Sequence, residues 1–309
     1  MNLDATTYGT FAEIGGGQEV ARWFFSVGGA AGTVAKTISA YDMAVSNSLY
    51  GPVTRYVSRQ RLEAMLEQEF VQLRDRLGPE RGDSKRFFAF ANTVATRSYG
   101  HPGNGRGWLG IRFQPQPHGQ PSSIVIHAHL FESTAARQQE ALGVLGVNLI
   151  HGAFTHHASL VDLVDSLMEE LSRERIEVDM MKLAGPAFAG VDNRLLSLRL
   201  VERGLTDAAM FTADGEVVQP SEVLLQEADS RGARQLQAGD EAHARPAEPR
   251  PRSIPTRVEC PRAEASRAGG NDAAEPDRDA GCRPHGLPGS SGHPGRPRFR
   301  RPDLAVRAV

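Results

Sequence analysis

The run Glu13-Ile14-Gly15-Gly16-Gly17-Gln18-Glu19-Val20 is where residue types and spacing first suggest chemistry. A glycine-rich turn that feeds a helix at about Gln18 leaves unpaired N–H groups at the positive end of the helix dipole, an arrangement suited to phosphate. Gly15, Gly16 and Gly17 are therefore candidate anion- or nucleotide-binding residues. The run departs from the dinucleotide fingerprint, which asks for a third Gly or Ala where this chain has Val20. Glu13 and Glu19 oppose an anion, and a tight turn where backbones pack closely explains the same glycines.

Lys36 is the second candidate. It is one of three lysines and lies in the small-residue stretch Gly28 to Thr37, GGAAGTVAKT. That stretch ends in Lys-Thr as a P-loop does, but Ala35 and Ala30 stand where the P-loop requires glycine. A snorkelling lysine is the alternative. The third candidate is the Asp192-Asn193 pair, in a loop after a strand, where parallel α/β sheets bind ligands. Either residue is also a good helix N-cap. Phe113, Pro115, Pro117, His118 and Gly119 resemble part of an adenylyltransferase phosphate loop, but no second His follows and the next segment reads as a strand.

His127 and His129 share one face of a strand and could bind a metal together with a carboxylate. No His-Glu-x-x-His spacing supports this, so the expectation is partly buried or surface histidines and no metal centre. Both cysteines, Cys260 and Cys282, lie near the end of the chain, so the part before it has no thiolate site. No nucleophile elbow or catalytic triad can be assembled. The catalytic residues and the cofactor stay open.

The elements that would position these groups read as a mixed α/β fold. Its parts are a helical N-terminal region, central antiparallel strands and a C-terminal βαβ unit. Thr7 to Ile14 is β-prone, Gln18 to Phe25 helical, and Thr33 to Val45 is expected to be a second helix. Ser58 caps the strongest helix, Arg59 to Leu77, with Gly78-Pro79 as its stop. Phe87 to Thr96, Trp108 to Phe113 and Ile124 to Leu130 form an antiparallel meander. Ala135 to Phe154 and Leu160 to Leu171 are helices. Ile176 to Leu183, Asn193 to Glu202 and Asp207 to Thr212 make strand, helix and strand, with the two strands expected to be parallel. Asp214-Gly215 then turns into Glu216 to Val218.

Composition divides the chain at about residue 226. From Glu227 onward there are 15 arginines against 12 acidic residues and 11 of the 19 prolines, with Leu, Ile, Val and Phe only about a tenth of the residues. Such a segment cannot bury enough apolar surface to offset its chain entropy, so 226–309 is expected to be a disordered tail. The abrupt shift further suggests an out-of-frame translation. QEADSRGARQLQAGDEAH can be encoded by codons whose +1 frame reads RKRILVERGSFKPVTKL, which restores an apolar run and ordinary lysines. Residues 1–225 carry the fold, truncated under this reading. No apolar run spans a bilayer and no export signal opens the chain, so a cytoplasmic protein is expected. A net charge of −2 without a basic stripe argues against nucleic acid as a partner.

The runs TYGTFAEIGGGQEVARWFF, GGAAGTVAKTISAYDM, RYVSRQRLEAML, EVDMMKLAGPAF and VDNRLLSLRLVERGLTDAAMF, leading to GEVVQPSEVL, resemble a family of longer bacterial proteins across residues 3–225. Its members are labelled nicotinate-nucleotide adenylyltransferase or TonB-dependent receptor. The first label implies a nucleotide-binding α/β fold. The second implies an exported barrel, which a helix-rich start opposes. The resemblance brings no catalytic residues. The leading expectation is an anion- or nucleotide-binding protein of nucleotidyltransferase type, taking a phosphate-bearing small molecule. The rival is a non-catalytic scaffold whose glycines only permit close packing.

Overall fold

A computed structural model describes residues 1–98 and 103–219. The expectations for the segment from 226 lie outside the described residues. In chain order the elements are β1 (Thr7–Ile14), α1 (Glu19–Ser26), β2 (Val34–Ile38), α2 (Met43–Tyr50), α3 (Arg59–Arg81), β3 (Arg86–Ala95), β4 (Gly105–Phe113), β5 (Ser122–Leu130), α4 (Ala135–Thr155), α5 (Leu160–Leu167), β6 (Ile176–Ala184), α6 (Asn193–Glu202), β7 (Met210–Phe211) and β8 (Val217–Val218). The fold is mixed α/β, as its alternating periodicities predict.

Six strands form one sheet in the order β2-β1-β3-β4-β5-β6, and β7 and β8 form a separate two-stranded ribbon. β1 is parallel to both β2 and β3, whereas β3 through β6 are antiparallel. Alternation along the strands sends side chains to two faces. On one face Phe11, Phe88, Phe90, Leu109, Ile111, Ile126 and Leu130 pack against Val20 and Phe24 of α1, Leu142, Leu145 and Leu149 of α4, and Leu163 of α5. The Phe11 and Phe24 rings, 5.0 Å apart, tie α1 to β1. On the other face Ala12, Ala91, Trp108, Val125 and Met180 meet Leu62, Met65 and Leu66 of α3. Each fully buried Leu, Ile, Val, Phe or Met side chain among these contributes about 1.5–3 kcal/mol. Among the described residues no helix is long and apolar enough to cross a membrane.

Four expectations are corrected. The helix expected over Thr33 to Val45 is instead a strand and the start of a second helix. Val34, Thr37 and Ile38 belong to β2, which pairs with β1, and Asp42, accepting from the Val45 N–H, starts α2 at Met43. Gly78-Pro79 does not stop α3, which runs on to Arg81. Pro79 lies in the last turn, where its missing N–H forfeits one hydrogen bond only. The helix expected to reach Leu171 ends at Leu167, and Glu170 sits in the left-handed region at φ 58°. The strand–helix–strand order of β6, α6 and β7 is present, but the strands are not paired in parallel: β7 pairs antiparallel with β8. The edge of β6 is taken at Val178, whose N–H donates to the Leu205 carbonyl at 3.2 Å. The parallel part of the sheet lies at the other end, around β1.

Candidate functional site

The glycine turn does open a helix, at Glu19, and two amides of its first turn, those of Val20 and Ala21, are already bound. The buried carboxylate of Glu13 accepts from the Val20 N–H at 3.2 Å, the Ala21 N–H at 3.0 Å and the Asn92 amide at 2.9 Å. An acidic side chain from β1 thus fills the place expected of an anion. Burial is the main reason its carboxyl is pushed up to about 7, and it outweighs the three donors. The glycines have packing roles. Gly15 sits at φ +88°, and a Cβ there would lie 1.8 Å from the Val94 carbonyl oxygen on β3. A Cβ on Gly16 would meet Leu142 of α4 at 2.3 Å, while the space at Gly17 is open beyond 3.7 Å.

The other sequence candidates stand apart from this turn. Lys36 lies on β2 with its ammonium 2.6 Å from Glu69 Oε2. Glu69 is buried on α3, where its other oxygen accepts from the Tyr50 hydroxyl at 2.8 Å. Lys36 therefore neutralises a carboxylate that burial would otherwise destabilise. Asp192 caps α6, accepting from the Arg194 N–H at 2.9 Å and from its guanidinium at 2.7 Å. Asn193 pairs with Leu183, accepting its N–H at 2.7 Å and donating to its carbonyl at 3.0 Å. That exchange clamps α6 to the end of β6.

Two clusters emerge that no local motif announces. The first joins His127 and His129 of β5 to Asp179 of β6. His127 Nδ1 is 2.7 Å from Asp179 Oδ1, and His129 Nε2 is 3.0 Å from Asp179 Oδ2. The cause is a β-bulge: His127 is opposite Met180 and Ala128 opposite Val178, which leaves Asp179 as the extra residue. A bulge re-aims side chains, and this one turns both Asp179 and Met180 to the face that carries the histidines. Hydrogen bonds from the two imidazoles hold the Asp179 carboxyl well below the usual range despite its burial. The hydrogen bond to Asp179 in turn raises His129.

The second cluster surrounds a cavity of about 410 Å³ between the C-terminal end of α3 and the β4–β5 turn, lined by Arg74, Gly82, Arg112, Gln114, His118 and Gly119 among others. Its titratable lining is basic throughout: two arginines and a histidine. Arg112 lies against the Phe70 ring, 5.6 Å from its centroid, with a terminal nitrogen 3.0 Å from Glu67. Its Nε is buried without a hydrogen-bond partner. Gln114 accepts from the Phe87 N–H at 3.1 Å and donates to the Gly119 carbonyl at 2.9 Å, fixing the turn. His118, at φ 57°, lies 2.6 Å from Asp83 at the rim. A larger cavity of about 670 Å³ between α1 and α4 is mostly apolar, with Glu140, Glu169, Glu170, His151 and Arg175 among its lining residues, so acidic groups outnumber basic ones there.

No family model and no curated protein matches the chain. Among solved structures, it is similar to competence/damage inducible protein CihA from Agrobacterium tumefaciens, at 17% identity over 47% of this chain and 84% of that one, TM-score 0.32. A competence or damage-inducible protein from Enterobacter asburiae matches at 13% identity over 49% of this chain and 90% of that one, TM-score 0.33. A competence-damaged protein (CinA) superfamily protein from Escherichia coli matches at 15% identity over 44% and 73%, TM-score 0.28. At these scores the likenesses assign neither substrate nor site. The described sheet is open, with helices on both faces, which does not fit the barrel implied by the receptor label.

Proposed function

We propose that this protein binds a phosphate-bearing small molecule of the nucleotide class, in a cytoplasmic setting, at the basic cavity between α3 and the β4–β5 turn. The observation that carries this reading is the convergence of Arg74, Arg112 and His118 on one cavity, each paired with a carboxylate, Asp75, Glu67 and Asp83, that is not among the lining residues. Arginine's planar donor set matches phosphate, and the size of the cavity falls within the range of small-molecule sites. The reading keeps the anion-binding expectation and moves it away from the glycine turn, where Glu13 takes the Val20 and Ala21 amides. Nucleotidyl transfer, the finer expectation, would add a reacting group to this cradle.

The test is calorimetry with inorganic phosphate, AMP and ATP on the full chain and on Arg112→Ala, Arg74→Ala and Gly17→Ala. Affinity for the anion that binds is expected to fall by about 10- to 100-fold in Arg112→Ala, with a smaller loss in Arg74→Ala. Gly17→Ala should bind like the parent. Retention of full affinity in both arginine variants, or its loss in Gly17→Ala alone, would return the site to the glycine turn. Absence of binding by all three probes would discard the reading.

A further inference from the structure

We infer that His127, His129 and Asp179 form a binding site for one divalent first-row metal ion of the zinc class, with further coordination positions left to water or a ligand. The site is independent of the basic cavity. Its donor atoms, two imidazole nitrogens and one carboxylate oxygen, all lie within 4.8 Å of one another. Bonds of about 2.0–2.2 Å to a common ion require separations of roughly 3–4 Å, so movements of less than about 1 Å complete the site. Imidazole and carboxylate together suit zinc, cobalt and iron rather than calcium or magnesium, and three protein ligands leave at least one position open.

The cluster is held in place by its surroundings. The Trp108 and His127 rings meet edge to face, with centroids 4.8 Å apart, and the Phe131 ring is parallel to His129 at 6.3 Å. His127 and Asp179 are nearly buried, with side chains 3% and 10% exposed, while His129 at 26% leaves a path to solvent. The Gln219 amide donates to Asp179 Oδ2 at 3.3 Å, an outer contact of the kind that orients metal-ligating carboxylates. The bulge leaves Asp179 as the extra residue opposite the step from His127 to Ala128 and so brings its carboxylate to both histidines. The ion would take the lone pairs of His127 Nδ1 and His129 Nε2, each ring keeping its hydrogen on the other nitrogen.

The experiment is titration of the chelator-treated full chain with Co(II), read by its visible absorption bands, and displacement by Zn(II) followed by calorimetry. It is repeated on Cys260→Ser/Cys282→Ser so that thiolates contribute nothing. One equivalent is expected to bind, with nitrogen–oxygen rather than thiolate bands. Affinity should fall by at least about 100-fold in His129→Gln and in Asp179→Asn, both checked for folding by circular dichroism. The double variant His151→Ala/His156→Ala, which removes the other paired histidines, should bind as tightly as the parent. Binding that survives in both His129→Gln and Asp179→Asn, that disappears with the cysteines, or that never saturates below about 1 mM metal would overturn the assignment and leave a hydrogen-bonded His–Asp–His cluster.

Discussion

Gly15→Val is expected to destabilise the fold by about 4 kcal/mol or more, enough to lower the melting temperature of a domain this size by roughly 8–16 °C or to prevent accumulation of folded protein. The reason is local and severe. Gly15 leaves β1 at φ +88°, and its missing Cβ would lie 1.8 Å from the Val94 carbonyl oxygen. That oxygen belongs to β3, which is paired with β1 in parallel from Thr7↔Arg86 to Ile14↔Thr93. A side chain there must push the strands apart at the end where Glu13, Asn92 and α1 meet. Left-handed geometry adds about 1–2 kcal/mol for a residue with a Cβ. Gly17→Ala is the matched control: it also has positive φ, at +76°, but its nearest neighbour lies 3.7 Å away, so it should cost only about 1 kcal/mol. Thermal melts of the two variants check this. A Gly15→Val protein that melts within 2 °C of the parent would sink the packing account and bring back the reading of these glycines as ligand contacts.

The same comparison shows why sequence reading reached the elements and missed the sites. Alternation made β1, β3, β4, β5 and β6 legible, and caps made α3 and α6 so, because each strand buries a face with its own periodicity and these two helices begin at recognisable residues, Ser58 and Asp192. β2 escaped because Val34 to Ile38 carries Ala and Lys between its β-branched residues and is half-buried throughout. Only pairing with β1 makes it a strand. The glycine turn drew attention for good physical reason, but two of the amides at the helix start are taken by a carboxyl of the chain itself, that of Glu13, six residues before Glu19. His127 and His129 were visible as a pair, yet Asp179 comes from another strand and meets them only through an unpaired residue in the β5–β6 register. No spacing rule encodes a bulge. Arg74, Arg112 and His118 come from a helix, a strand and a turn, so their convergence is a property of the fold alone.

Across pH 5 to 8 the parent chain is expected to lose about 2–3 kcal/mol of stability relative to Glu13→Gln. The Glu13 carboxyl is pushed up to about 7 in the folded chain, chiefly by burial, from an ordinary value of 4.5. A raised carboxyl means that, between those two values, the folded state keeps a proton that the unfolded state has released. Stability from this group is therefore full below about 4.5 and falls as pH rises through about 7. At 1.36 kcal/mol per unit the whole span is worth about 3 kcal/mol. The window is chosen so that Asp179 and Asp192, both held low, stay ionised. His129 is raised and also loses stabilisation as pH rises, and His151 is lowered and acts in the opposite sense. Both remain in the variant and cancel in the difference. Glutamine at position 13 carries no titrating proton, but its amide nitrogen must face one of the donors from Val20, Ala21 or Asn92, so the variant starts from a lower absolute stability. The slope with pH, not the level, is the readout. Urea unfolding of both proteins at half-unit intervals measures it, and parallel slopes would show that Glu13 is ionised throughout and that its three donors, not its burial, set its charge.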